Sequence, residues 1–277
     1  MATMKNVLLC PPTHFAVRDV KNPYMKHAAP LDHQKAERQW QALRVALESS
    51  GLTVETIDPV EDLEDMVFAA NQIFVGHHEK IGKFIVPSKM RYASRQREVP
   101  YYVEWFRRRG YRIVSVDLSN EYLEGHGDLI WQPDRSKIWA GYGFRSSLGG
   151  VQKFSGAMND LGFPVTALEL VDEYCYHLDT SLCPLNNEAA LIYPGAFSSQ
   201  SLPELRRGWK RVYDLTRDQS LQFMCNGIVV NGRYITSHMT SNLSDLLNKE
   251  GLEPVIVDTS EFEKSGGGPF CMKCFPE

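Results

Sequence analysis

The sequence predicts a mixed α/β fold. Short β-rich runs alternate with stretches of helical periodicity, glycines stand just past the ends of those stretches, and an Asn-Gly pair joins two β-branched runs near the C-terminus. In chain order, Val7-Leu8-Leu9-Cys10 reads as a first strand. Asp32 to Ser50 carries apolar residues at helical spacing and stops at Gly51, the residue type that accepts a left-handed conformation past a helix end. Strands are expected next at Thr53 to Ile57, Met66 to Ala70 and Phe84 to Val86, with Gln72 to His78 read as a loop. A helix from Val99 to Arg109 closes at Gly110 and leads into a strand at Tyr111 to Val116. Ser147 to Leu161 with Gly162 repeats that order before a strand at Val165 to Leu168, and a further helix is expected from Ser201 to about Leu215. Ile228-Val229-Val230 and Arg233 to Thr236 flank Asn231-Gly232, a two-residue hairpin signature, and a helix Ser241 to Lys249 precedes a strand at Val255 to Val257. The unit of strand, hairpin, helix and strand recurs with a loose period. No Ser/Gly/Pro-rich linker cuts the chain, so residues 1–277 are expected to form a single domain.

Composition narrows the function classes. A chain of 277 residues buries a core without disulfide or metal staples. Hydrophobic residues make up 43% and charged residues 23%, the net charge is -4, and no basic run could follow a phosphate backbone, which argues against nucleic acid as a partner. No apolar stretch approaches the roughly 20 residues that span a bilayer, and the N-terminus lacks a signal-peptide pattern, so a cytoplasmic protein with no membrane partner is expected. The six cysteines, Cys10, Cys175, Cys183, Cys225, Cys271 and Cys274, are scattered, which favours reduced thiols. Cys10, Cys175 and Cys225 lie in or beside strand-like segments and read as core.

Four clusters could carry chemistry: Asn22-Pro23 with Asn71, Glu124-Gly125-His126-Gly127-Asp128, His177-Leu178-Asp179, and Ser265-Gly266-Gly267-Gly268-Pro269-Phe270-Cys271. Three consecutive glycines let the backbone bend sharply and approach a ligand just before a thiol, although a plain turn explains them equally well. A thiol needs a cationic partner to become thiolate at neutral pH, and His177 is the leading candidate. On a strand, His177 and Asp179 would point to the same side. Glu124 and Asp128 supply carboxylates for a cation, or form a solvated acidic loop. Cys271-Met272-Lys273-Cys274 has CxxC spacing, but a structural zinc site would need two further ligands at a recognisable spacing and none is present.

These clusters, in this order and over nearly the whole chain, resemble the guanidino-group-modifying superfamily of arginine deiminases, dimethylarginine dimethylaminohydrolases and amidinotransferases. The resemblance implies a pentein fold, a five-fold pseudosymmetric α/β propeller of ββαβ modules. Leu9-Cys10-Pro11-Pro12, Asn22-Pro23-Tyr24-Met25 and Val67-Phe68-Ala69-Ala70-Asn71 look most like the arginine dihydrolase domain of cyanobacterial arginine catabolism, with Ala69 where threonine is more usual. Arginine deiminases typically place aspartate where Asn71 aligns. The resemblance further implies that Cys271 is the nucleophile, His177 the acid and base, and Glu124 a catalytic carboxylate. Asn22, Asn71, Asp128 and Asp179 would then bind the substrate, with Arg91 and Arg145 on its carboxylate, a role suited to a bidentate guanidinium fork.

The implied reaction is attack of the Cys271 thiolate on the guanidinium carbon, a thiouronium intermediate and its hydrolysis, with neither metal nor organic cofactor required. Arginine dihydrolysis to ornithine is expected. Dimethylarginine hydrolysis or deimination to citrulline is the alternative, ahead of amidino transfer or a non-enzymatic binding module of the same fold. A homo-oligomer is compatible with the sequence.

Overall fold

The structure, a computed structural model, describes residues 4–276. Its strands fall into five three-stranded sheets, each made of an antiparallel pair and a third strand added in parallel. The first module contains β1 (Asn6–Leu9), α1 (His33–Ser49) and β2 (Thr53–Thr56). The second has β3 (Ile73–His78), β4 (Gly82–Pro87), α2 (Ala93–Gln96), α3 (Val99–Arg107) and β5 (Arg112–Ile113). In the third, α4 (Gly125–Asp128) precedes β6 (Leu129–Trp131), β7 (Ile138–Tyr142), α5 (Leu148–Asp160) and β8 (Val165–Glu169). The fourth comprises β9 (Leu182–Pro184), β10 (Ala189–Ile192), α6 (Ser201–Arg207) and β11 (Arg211–Asp214). The fifth runs through α7 (Arg217–Leu221), β12 (Ile228–Val230), β13 (Arg233–Thr236), α8 (Ser241–Lys249) and β14 (Glu253–Ile256), after which α9 (Ser260–Glu263) leads to β15 (Lys273–Cys274).

The first module borrows its outer strand from the other end of the chain. β15 pairs antiparallel with β1, Leu8 opposite Cys274 and Leu9 opposite Lys273, so the last residues close a ring of five modules. This is the pentein arrangement that the resemblance implies. It also accounts for the loose period in the sequence, because one of the five repeats is split between the termini. The helices pack their apolar faces outside the sheets. Trp40, Leu43 and Leu47 of α1 join Val7 and Leu9 in one core cluster, while Phe154 and Met158 of α5 join Phe74 and Ile138 in another.

Several elements differ from the sequence reading. Met66 to Ala70 is a series of turns, not a strand: Phe68 N–H donates to Asp65 C=O at 2.9 Å. The run is apolar throughout because Val67 and Phe68 face one core cluster, and Met66 and Ala69 another. Gln72 to His78, read as a loop, contains β3, whose ladder with β4 runs from Ile73 opposite Pro87 to His78 opposite Gly82. The helix expected to reach Leu215 ends at Arg207. Gly208 follows, and the chain re-enters the sheet as β11 beside β10. Of Tyr111 to Val116, only Arg112 and Ile113 form strand. His177-Leu178-Asp179 is no strand either: residues Leu178–Thr180 form one 3-10 turn, fastened where Thr180 Oγ1 donates to His177 C=O at 2.7 Å.

Candidate active site

Cys271 lies in a single turn, Phe270–Met272, directly after the glycine run. Gly266 has φ +85°, and a Cβ there would stand 2.6 Å from the Tyr176 hydroxyl and 2.7 Å from Asn22 Nδ2, so only glycine lets those two side chains close on the backbone. Tyr176 donates to Gly266 C=O and Asn22 Nδ2 donates to Ser265 C=O at 2.9 Å. The Cys271 thiol donates to Asp179 Oδ2 at 3.2 Å and lies 3.5 Å from Asn226 Oδ1. Burial, reinforced by the neighbouring Asp179, pushes the thiol well above its ordinary range. Burial likewise raises Asp179, to about 7. An isolated pair of this kind holds its protons, and a cation brought beside it favours their release.

His177 is held from the other side. Its Nε2 sits 2.8 Å from Glu124 Oε2, an oxygen that also accepts from Arg145 Nη1 at 3.0 Å, while Glu124 Oε1 accepts from Arg91 N–H at 2.8 Å. Although burial opposes ionisation, Arg145 and His177 hold the Glu124 carboxyl well below the usual carboxylate range. Glu124 therefore orients His177, and it is not among the residues lining the cavity. Gly127 permits this closeness, since a Cβ there would overlap Asn71 Nδ2 and lie 3.2 Å from the His177 ring. The Arg145 guanidinium sits between the rings of Tyr92 and Tyr176, 4.9 and 4.7 Å from their centroids.

Between these groups lies a tight cavity of about 20 Å³, lined by Asn22, Asn71, Arg145, His177 and Cys271 among the sequence candidates. Asn71 is fixed by Arg95, whose Nη1 donates to Asn71 Oδ1 at 3.0 Å while a bidentate pair with Glu98 fixes the guanidinium. Asn71 Nδ2 and Asp179 Oδ1 are fully buried and have no hydrogen-bond partner. In a native interior such atoms are rare, and here they leave one donor and one acceptor unsatisfied beside the thiol and the imidazole.

The remaining candidates stand elsewhere. Asn22 lines the cavity, but its Oδ1 caps the turn at Met25 N–H and its Nδ2 holds Ser265, so both ends of the amide are occupied. Asp128 is a brace: Oδ2 accepts from Ser146 Oγ at 2.6 Å and Oδ1 from Leu178 N–H at 3.1 Å, which fixes the turn carrying His177 and Asp179. Burial raises its pKa to about 6. The Arg91 side chain is exposed, 4.9 Å over the Tyr122 ring, and does not line the cavity. The sequence reading missed Lys21, Asp65, Arg95 and Tyr176 of the lining, and Asn226, whose Nδ2 donates to Asp179 C=O at 3.0 Å. Arg95 sits in a polar stretch without a motif. Cys274, the second residue of the CxxC spacing, is buried on β15 beside β1.

Residues 11–274 match the family described as N,N dimethylarginine dimethylhydrolase, eukaryotic. A bifunctional arginine dihydrolase/ornithine cyclodeaminase of Nostoc is 34% identical over 98% of this chain, which spans only 38% of that enzyme's length. The N(G),N(G)-dimethylarginine dimethylaminohydrolase of Mycobacterium tuberculosis is also 34% identical, over 95% of this chain and 83% of that protein. Among solved structures, the product-bound N-terminal domain of an arginine dihydrolase from the cyanobacterial ornithine–ammonia cycle superposes with a TM-score of 0.90. It is 30% identical, with 98% of this chain and 97% of that one covered.

Proposed function

The chain belongs to the N,N-dimethylarginine dimethylhydrolase family, whose members hydrolyse guanidino C–N bonds, and from that premise we propose that it is an arginine dihydrolase yielding ornithine, ammonia and carbon dioxide. The observation that carries this reading is the orientation of Asn71. Arg95 occupies the amide oxygen, so the end of this cavity-lining amide left without a partner is its donor, Nδ2. A guanidinium offers only N–H donors and gains nothing from another donor, whereas the oxygen of a ureido group accepts one. An aspartate at this position would present acceptors to the cation instead. The amide therefore suits the second substrate of a dihydrolase, citrulline.

The first half-reaction follows from the other groups. The guanidinium enters the cavity beside Cys271, behind which Asp179 stands outside the lining, and its charge favours ionisation of both Asp179 and the thiol. The thiolate attacks the guanidinium carbon, and the resulting tetrahedral adduct collapses when His177 protonates one nitrogen, releasing ammonia and leaving a thiouronium. A water deprotonated by His177 then attacks the same carbon, the C–S bond breaks, and citrulline forms. Repetition on the ureido carbon, with Asn71 Nδ2 on its oxygen, releases a second ammonia and carbon dioxide. Glu124 keeps His177 in place throughout, and Arg145, which lines the cavity, is the candidate partner of the substrate carboxylate. The whole chain serves as one catalytic domain.

Dimethylarginine hydrolysis is the second reading, favoured by the family match itself. Incubation with arginine and with dimethylarginine, followed by quantification of ammonia, citrulline and ornithine, separates the two. Two ammonia and one ornithine per arginine are expected. One ammonia with accumulating citrulline overturns the dihydrolase, and release of dimethylamine in preference to ammonia selects the second reading. Asn71→Asp is expected to stop at citrulline, cutting ornithine formation at least tenfold.

A further inference from the structure

A second cavity, of about 400 Å³, shares no lining residue with the first. That volume falls within the range of small-molecule sites. Lys273 stands in its wall, two residues after Cys271, is 2% exposed and is absent from the lining of the catalytic cavity. Its ammonium lies over Phe270, 3.1 Å from the ring centroid, and 4.8 Å from that of Phe275. Among the described residues no carboxylate lies within ion-pair distance of it, and Asp179 acts on it only from farther off, although lysine buried to this degree ordinarily has an anionic partner.

The rest of the lining indicates what that partner is. Arg135 lies over the Trp131 ring, 5.2 Å from its centroid, and Ile130, Trp131, Val229 and the two phenylalanines supply apolar walls. The one lining carboxylate, Asp134, is exposed and accepts from Ser136 N–H at 2.9 Å. His126 contributes no charge: Nε2 accepts from Val75 N–H at 3.0 Å, Nδ1 faces Leu129 C=O at 3.1 Å, and burial holds the ring neutral down to about pH 3. Cys183 is a thiol pushed up by burial to about 12. Burial lowers the Lys273 ammonium only to about 8, which leaves it charged at neutral pH.

We propose that this cavity binds a small organic anion, a carboxylate on a flat apolar body, whose charge pairs with Lys273 while its ring packs on Trp131 and Phe270. Neither the family match nor the catalytic chemistry requires such a ligand, and the proposal stands independently of which guanidino compound is hydrolysed. Phenylacetate is the probe and phenylacetamide its neutral counterpart, titrated by calorimetry against the full-length wild-type protein, Lys273→Met and Val229→Trp. Lys273→Met removes the charge, and Val229→Trp fills the cavity but keeps it. Saturable phenylacetate binding is expected in the wild type, at least tenfold weaker for the amide and in each variant. Absence of saturable binding to the wild type overturns the proposal. So does binding that survives either substitution in a variant that keeps the wild-type melting profile, since that places the probe elsewhere.

Discussion

At the scale of the residue, the site is a set of buried ionisable side chains whose protonation is set by their neighbours. Cys271 and Asp179 share a proton-rich corner, while Glu124 is a fixed anion between Arg145 and His177. Cys271→Ala removes one buried sulfur and its bond to Asp179 Oδ2, and leaves the backbone bonds of residue 271 to Asn226 and Ala70 in place. Ammonia release is expected to vanish, with a melting temperature within about 3 °C of the wild type; residual turnover above a hundredth of the wild-type rate would remove Cys271 as nucleophile. Asp179 has a pH signature of its own. Its native pKa, raised to about 7, exceeds that of an unfolded aspartate, so the native state keeps a proton that the unfolded chain has lost. Stability contributed through Asp179 is then full below pH ~4, declines as pH rises toward 7, and stays low above it. Asp179→Asn cannot ionise, so its melting temperature relative to the wild type should be higher at pH 8 than at pH 5. A difference independent of pH would contradict this account of the pair. Cys271, His177 and Asp179 were singled out in the sequence because a thiol after glycines, a His-x-Asp pair and Glu-Gly-x-Gly-Asp occur together in one order, although each cluster alone is a weak signal. Arg95 was not, because its part depends on a contact with Asn71 across 24 positions that no local pattern announces.

At the scale of the element, the caps and hairpins were the most legible features and the strands of the middle modules the least. Asn231 and Gly232 have φ of 45° and 81°, the two left-handed residues that a tight hairpin needs, and their sequence identities announce them. β6, β7, β9 and β10 passed unread because they are three to five residues long and buried on both faces, which erases the alternation that marks a strand. Ser147 shows how a cap reaches the site. Its Oγ accepts from Gly150 N–H at 3.2 Å, closing the first turn of α5, and from Tyr122 N–H at 3.0 Å, two residues before Glu124. Ser147→Ala is expected to lose about 1 kcal/mol of stability, read as a lower urea midpoint at unchanged slope. It should also lower kcat more than it raises KM, because the segment leading to Glu124, and through it His177, loosens. A loss of stability with intact kcat would confine Ser147 to the helix.

At the scale of the whole molecule, the ring brings together groups that the sequence scatters over 250 positions. Asn22 and Asn71 come from the first third, Glu124 and His177 from the middle, and Cys271 from the last turn before β15. The order of these motifs made the five-module fold recognisable, yet the closure could not be read, because β15 is two residues long and pairs with a strand at the opposite terminus. That pairing has a consequence for catalysis. Ala70 N–H donates to Cys271 C=O at 3.1 Å, and the backbone of Lys273 and Cys274 is the next tie holding Cys271 against the first module. Removing residues 273–277 deletes β15 and leaves Cys271 on a free end, while the other four sheets keep all their strands. Hydrogen exchange should then accelerate at Leu8 and Leu9 of β1, with the amides of β7 and β10 unchanged. Ammonia release should fall at least a hundredfold, because a displacement of about 1 Å at a nucleophile already costs that much. Uniform acceleration of exchange in all five sheets would mean instead that the ring folds as one cooperative unit, and that the C-terminal strand is required for the fold before it is required for the chemistry.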